Sequence, residues 1–274
     1  MQPISGISSI IFRYDALLLD LWGVVHDGSH LYPGVHEALT RLRQENKKII
    51  MLSNAPRRAA RVEQVLNGLG IEPALYDYVL SSGEAGYRWM EEGNAPWGKR
   101  YYYIGPSKDA GVLDGLDYKR VDDLQDADFL LNVGFGSEEE SANDWQPLLG
   151  AAKAAGLPML CLNPDFEVVK ITGERYACAG VLAADYERLG GEVKYFGKPF
   201  KEVYAQCMEL LQMEKDKILA IGDGIATDIA GALGFGIDAA LVTGGIIKKD
   251  EHRVEELCRR NKAIPTYVIP RLAW

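Results

Sequence analysis

The stretch Leu17-Leu18-Leu19-Asp20-Leu21-Trp22-Gly23-Val24 places one carboxylate at the end of a run apolar enough to be a buried strand. In an open α/β sheet the carboxyl ends of the strands face the ligand, so Asp20 stands where chemistry is done. A distant companion adds weight. Residues 218 to 228 read Ile-Leu-Ala-Ile-Gly-Asp-Gly-Ile-Ala-Thr-Asp, a second apolar strand ending in Gly222-Asp223-Gly224 with Asp228 just beyond. Two such strand ends can bring three carboxylates together.

Outward from these segments, strand-like runs alternate with helical ones almost throughout, the sign of βαβ units and an α/β fold with a mostly parallel sheet. Apolar periodicity predicts a helix over 35–46, and a strand over 48–52 ends at Ser53-Asn54-Ala55-Pro56. A helix over 57–69 stops at Gly70, a strand covers 78–80, and Ser81-Ser82 reads as the N-cap of a helix over 84–92. The middle of the chain restarts the pattern, with strands over 100–104, 128–133 and 158–162 and a helix over 146–155. A glycine-marked stretch from Gly173 to Gly180 precedes a helix over 181–189. Then come a strand over 193–196, Gly197-Lys198-Pro199, and a helix over 201–211. The chain closes with a helix over 229–233, a strand over 239–242 and a helix over 250–261.

The chain has 274 residues, enough for two domains or one large α/β unit. With 47% hydrophobic and 25% charged residues, its composition is that of an ordinary globular protein. A net charge of −9 without a long basic run argues against a nucleic-acid partner. Cys161, Cys178, Cys207 and Cys258 form no CxxC pair and read as reduced, structural thiols. No run approaches the roughly 18 apolar residues of a membrane span, and Met1 to Tyr14 lacks the layout of a signal peptide, so a cytoplasmic location is expected. Gly134-Phe135-Gly136 does not continue as GxGxxG, which speaks against dinucleotide binding.

Asp20, Ser53-Asn54, Lys198, and Asp223 with Asp228 each lie at or just after a strand end. An aspartate can attack a phosphoryl group to form an acyl-phosphate, dividing a slow hydrolysis into two steps. The transfer needs positive charge around the phosphoryl group, which Lys198 can supply. Ser53 and the amides near Asn54, at a helix N-terminus, can donate to phosphate oxygens. Asp20 and Asp223 suit Mg²⁺, a hard cation that takes one or two carboxylates.

This order and spacing resembles the haloacid dehalogenase superfamily, over nearly the whole chain. Gly23-Val24, Ser53-Asn54, Gly197-Lys198-Pro199 and Gly222-Asp223-Gly224 look most like its subfamily IIA, the p-nitrophenyl phosphatase and sugar-phosphatase-like proteins. The resemblance implies a Rossmann-like core over 1–83 and 181–274, interrupted by an α/β cap over 84–180. It implies Mg²⁺-dependent hydrolysis of a small phosphorylated metabolite such as a sugar phosphate. Asp20 would be nucleophile and metal ligand, Trp22 a ligand through its carbonyl, Asp223 a ligand supported by Asp228, and Ser53, Asn54 and Lys198 phosphate binders. Asn163-Pro164-Asp165 resembles a segment near the cap–core junction, which makes Asn163 and Asp165 substrate-binding candidates. A membrane partner is not implied, and a homo-oligomer is left open.

One position departs from the pattern. The family's phosphatases carry an Asp two residues after the nucleophile as acid and base; here Trp22 stands there, and indole cannot shuttle a proton near neutral pH. Losing such a group removes on the order of 10² to 10⁴ in rate. Three readings stay open. Another residue, His26 or Asp27, supplies the acid; the substrate has a good leaving group; or the chain binds Mg²⁺ and a phosphorylated ligand, or a protein partner, with impaired turnover.

Overall fold

The computed structural model describes residues 1–169 and 174–274; Gly173, which opens the glycine-marked stretch, lies outside them. The chain forms two compact units. The first comprises Met1–Ser53, Ala59–Leu80 and Lys198–Trp274, and the second Asn54–Arg58 and Ser81–Gly197.

The first unit is built on a seven-stranded sheet in the order Gln2–Pro3, Tyr267–Ile269, Asp238–Val242, Ile218–Gly222, Ala16–Asp20, Lys48–Ser53, Tyr78–Ser81. Ala16–Asp20 is the fifth strand, beside the central Ile218–Gly222 and parallel to both neighbours, with Leu19 opposite Met51 on one side and Ile221 on the other. Leu17, Leu18 and Leu19 are at most 1% exposed, because a parallel strand covered on both faces must be apolar on both. Each such leucine contributes about 1.5–3 kcal/mol by burial. From Ala16–Asp20 the chain steps to the strands at 48 and 78; from Ile218–Gly222 it steps the other way, to those at 238 and 267. The direction of winding reverses between these two strands, which opens a crevice at their carboxyl ends. The helix Val35–Gln44 buries Val35, Ala38, Leu39 and Leu42 against this core, the spacing of one helical face.

The second unit holds a five-stranded sheet in the order Val193–Tyr195, Met159–Cys161, Phe129–Asn132, Arg100–Ile104, Lys119–Val121, its pairs parallel. A separate antiparallel pair joins Glu167–Val169 to Arg175–Ala177. Residues 181–197, expected with the first unit, are built into the second. Val193–Tyr195 pairs with Met159–Cys161, and the helix Ala179–Arg188 buries Leu182, Ala183 and Tyr186 in this unit's core.

Several boundaries differ from those expected. The helix Ala142–Ala154 begins four residues before 146, where Ser141 and Asp144 form a reciprocal capping box. Ser81 caps Ser82–Glu91 by accepting the Glu84 amide at 3.0 Å. The last helix is shorter, Val254–Arg260, preceded by a tighter 3₁₀ segment at Lys248–Arg253. All four cysteines are buried thiols. Among the described residues no helix is long and apolar enough to cross a membrane.

Candidate active site

Asp20 closes its strand and Asp223 follows Ile218–Gly222 directly, so adjacent parallel strands deliver both carboxylates to one mouth. Asp228 comes from the wide π-helical turn Ile225–Ile229 that follows. Each of the three offers an oxygen within 4.8 Å of the others. Lys198 stands among them, its ammonium 2.5 Å from Asp20 Oδ1, 2.7 Å from Asp228 Oδ1 and 3.2 Å from the Leu52 carbonyl. Ser53 ends the neighbouring strand, whose Leu52 is in register with Asp20.

Close backbone approach shapes the cluster. Gly23, with φ of +91°, passes so near Asp223 that an added Cβ would fall 1.9 Å from Oδ2. Gly245 approaches the same carboxylate, and the Ile246 amide donates to its Oδ2 at 2.6 Å. Asp228 Oδ2 accepts from the Gly224 amide and the Thr227 hydroxyl, both at 3.2 Å. The Gly23 and Ile246 contacts do not figure in the sequence reading; Gly244-Gly245 straight after the strand Asp238–Val242 is the signal that could have found the second.

Burial dominates the electrostatics. It pushes the Asp20 carboxyl well above its usual range; the Lys198 ammonium opposes this, and Asp228 and Asp223 add to it. Asp223 is pushed up to about 7, by burial first and then by Asp228. Burial alone would lower the Lys198 ammonium, but Asp20 and Asp228 outweigh it and hold it above its ordinary value. Three carboxylates around one ammonium carry a formal excess of two negative charges. The oxygens also lie close to the span of about 4 Å across an octahedral hard cation. The donor set therefore fits a divalent cation such as Mg²⁺.

The turn after Asp20 is tight. The His26 amide donates to Leu21 O and the Gly23 amide to His26 O, both at 3.0 Å. His26 is 7% exposed, and its Nδ1 accepts the Gly28 amide at 3.0 Å. Burial lowers its pKa against Asp27, so the imidazole is neutral at pH 7 with its proton on Nε2. Asp27 Oδ1 accepts the Ser29 and His30 amides; these hold its carboxyl low despite the opposing effect of burial. Trp22 lies edge-on to His26, ring centroids 5.9 Å apart.

The remaining candidates belong to the second unit. Asn54 Nδ2 donates to Asp165 Oδ1 at 2.7 Å, and Asn163 Oδ1 accepts the Asp165 amide at 3.2 Å. Asn163 lines a cavity of about 240 Å³ together with Arg57, Asp109, Phe135, Tyr176 and Cys178. Arg57 and Asp109 form an ion pair there at 2.8 Å, which the sequence reading did not include.

The chain is similar to known proteins along most of its length. Residues 17–119 match the model of the haloacid dehalogenase-like hydrolases, and residues 195–274 a second, HAD-hydrolase-like model. A haloacid dehalogenase-like hydrolase of solved structure from Brucella suis is 30% identical over 98% of this chain and 100% of its own, with a TM-score of 0.86. The sugar-phosphatase AraL of Bacillus subtilis is 28% identical over 87% of this chain and 86% of its own. The solved glycerol phosphate phosphatase Rv1692 of Mycobacterium tuberculosis, in complex with calcium, is 23% identical over 86% of this chain and 68% of its own, with a TM-score of 0.68.

Proposed function

The chain belongs to the haloacid dehalogenase-like hydrolases, in the subfamily IIA group, and on that premise we propose that it is a divalent-cation-dependent phosphoric monoester hydrolase acting on a small phosphorylated metabolite. One observation carries this reading: Lys198 joins Asp20 and Asp228 within a cluster that Asp223 completes. A binding site alone has no use for a nucleophile held by a cation.

In this reading Asp20 attacks phosphorus, with Oδ1 held by Lys198 and Oδ2 as the attacking oxygen. Lys198 and the Ser53 hydroxyl, with amides at Asn54, stabilise the charge on the transferring group. Asp20, Asp223, Asp228 and the Trp22 carbonyl would hold Mg²⁺. When bound, the cation supplies positive charge that offsets the repulsion between nucleophile and phosphate. His26, neutral and protonated on Nε2, serves as a hydrogen-bond donor at the site rather than as a proton shuttle. The first unit acts as the catalytic core and the second as a cap, whose Asn163 and Asp165 contribute to substrate binding.

The test is phosphate release in Mg²⁺ across a panel of phosphate monoesters, sugar phosphates included, with Asp20→Asn as the control. Turnover in the native chain and none in the variant is expected. Turnover no greater than the variant's would sink the hydrolase. The indole at position 22 favours a second reading in that event: a protein that binds Mg²⁺ and a phosphorylated ligand or a protein partner. Calorimetry with Mg²⁺ and the same panel would register it.

A further inference from the structure

Lys198 and Asp228 meet at 2.7 Å within the first unit, although they reach each other from different elements. Lys198 lies just ahead of the helix Lys201–Leu211, and Asp228 sits inside the wide π-helical turn Ile225–Ile229. Such a turn takes one residue more than an α-helical turn, is rare, and recurs at functional sites. Tightening it to 3.6 residues would re-aim Asp228. The carboxylate is held locally, Oδ2 accepting the Gly224 amide and the Thr227 hydroxyl at 3.2 Å, but these donors belong to the turn or its start and move with it.

One side chain reaches the turn from outside. Tyr204, fully buried on the helix Lys201–Leu211, donates its hydroxyl to the Asp228 carbonyl at 3.3 Å. Its ring stacks on Phe235 of the helix Ala230–Phe235, which continues from the turn; the centroids are 5.7 Å apart and the planes 25° from parallel. Gly231 leaves room for this, since a Cβ there would collide with the Tyr204 hydroxyl and with Pro199 Cα. Tyr204 therefore joins the helix that follows Lys198 to the backbone of the residue that Lys198 binds.

We propose that Tyr204 is a positioning residue whose hydroxyl fixes the wide turn against the helix behind Lys198, and so sets where Asp228 receives the ammonium. This rests on the hydrolase reading and adds to it a residue that touches neither substrate nor cation. With Asp228 at that depth, Lys198 also reaches Asp20 at 2.5 Å, and the three carboxylates stay within reach of a shared cation. At 3.3 Å the hydrogen bond is long, so its worth lies in placement rather than in strength.

The experiment compares Tyr204→Phe, which removes the hydroxyl and keeps the ring, with Phe235→Leu, which removes the ring stack and keeps the hydroxyl. Both are followed by steady-state kinetics in Mg²⁺ on a phosphate monoester that the native chain hydrolyses, by Mg²⁺ calorimetry and by urea denaturation in EDTA. For Tyr204→Phe we expect kcat to fall about tenfold or more with KM within about twofold, and Mg²⁺ affinity to fall about tenfold, the scale of losing an outer contact to a ligand. Phe235→Leu should lower the urea midpoint and leave kcat and Mg²⁺ affinity within about twofold of the native values. Tyr204→Phe with either quantity within about twofold of native would overturn the proposal. Equal losses of kcat in the two variants would also overturn it, since packing alone would then account for them. A native chain that releases no phosphate would overturn the hydrolase reading, and the Mg²⁺ affinities would still decide the role of Tyr204. Circular dichroism checks the folds; if Tyr204→Phe does not fold, Gly231→Ala, whose methyl displaces the hydroxyl, is read in the same way.

Discussion

Lys198 and Asp20, 178 residues apart in the chain, meet at 2.5 Å in a site where both side chains are under 10% exposed. The same ammonium serves Asp228, so one side chain neutralises part of a cluster that would otherwise repel itself.

Removing that ammonium should be costly. Lys198→Met leaves three buried carboxylates without their cation, and breaking a buried pair from one side costs about 3–5 kcal/mol. Urea denaturation in EDTA should show a loss of that size, with Mg²⁺ restoring part of it. Phosphate release should drop about 10²-fold or more, since a donor to the transferring group is gone. A variant as stable as the native chain in EDTA would show that Lys198 does not hold the cluster together.

The pH dependence follows from Asp223, whose carboxyl is pushed from 3.8 up to about 7. Between roughly pH 4 and 7 the native chain holds a proton that the unfolded chain has released. Stability of the cation-free protein therefore declines as pH rises through that window. A divalent cation binds the deprotonated form, so its stabilising effect should grow over the same window. The rise in melting temperature on adding Mg²⁺ should be larger at pH 8 than at pH 6, and Asp223→Asn should shrink that difference, Asp20 keeping the rest. Equal rises at the two pH values in the native chain would contradict the assignment.

The parts of this arrangement that were legible in the sequence are those written locally. Asp20 and Asp223 each follow an apolar run, so strand and strand end are read from consecutive residues. What no local pattern carries is which strand ends become neighbours and what closes on them. Gly23 against Asp223, the Ile246 amide on the same carboxylate, and Asn54 paired with Asp165 join segments up to 200 or more residues apart. The strands Gln2–Pro3 and Tyr267–Ile269, two and three residues long, are too short to show a period, so the sheet is wider than the pattern suggested. Residues 181–197 fall in the second unit for a related reason: Val193–Tyr195 reads as a strand, but nothing local says which sheet it joins.

Gly23→Ala tests how tightly the turn is fitted to the cluster. The added methyl would fall 1.9 Å from Asp223 Oδ2, at a φ of +91° that side chains other than glycine rarely adopt. Either the turn or the carboxylate must move. Because Asp223 is then displaced from the other two carboxylates, Mg²⁺ affinity measured by calorimetry should fall about tenfold or more, on the scale of losing an outer contact to a ligating carboxylate. Unchanged affinity would mean that Asp223 does not hold the cation.

Asp77 offers a test of the scaffold that leaves the cluster untouched. Its carboxylate takes Arg43 at 2.7 Å, Lys48 at 3.0 Å and the Ile49 amide at 2.8 Å, tying the end of the helix Val35–Gln44 to the start of the strand Lys48–Ser53. Burial works to raise the carboxyl, but the Ile49 amide, Lys48 and Arg43 together hold it below 3.8. A depressed carboxylate stabilises the native state above its unfolded pKa, and that contribution is lost as pH falls through the native value. Asp77→Asn should therefore cost about 1.5–3 kcal/mol in urea denaturation at pH 7, the worth of hydrogen bonds to a charged group. The gap between native chain and variant should narrow below about pH 4, where the native carboxylate begins to protonate. Because Asp77 grips Lys48 and Ile49 at the amino end of the strand whose carboxyl end carries Ser53, kcat/KM at pH 7 should stay within about twofold of the native value while the fold is intact. A large loss of turnover without loss of stability would show that the strand's position, and not its integrity alone, depends on this carboxylate.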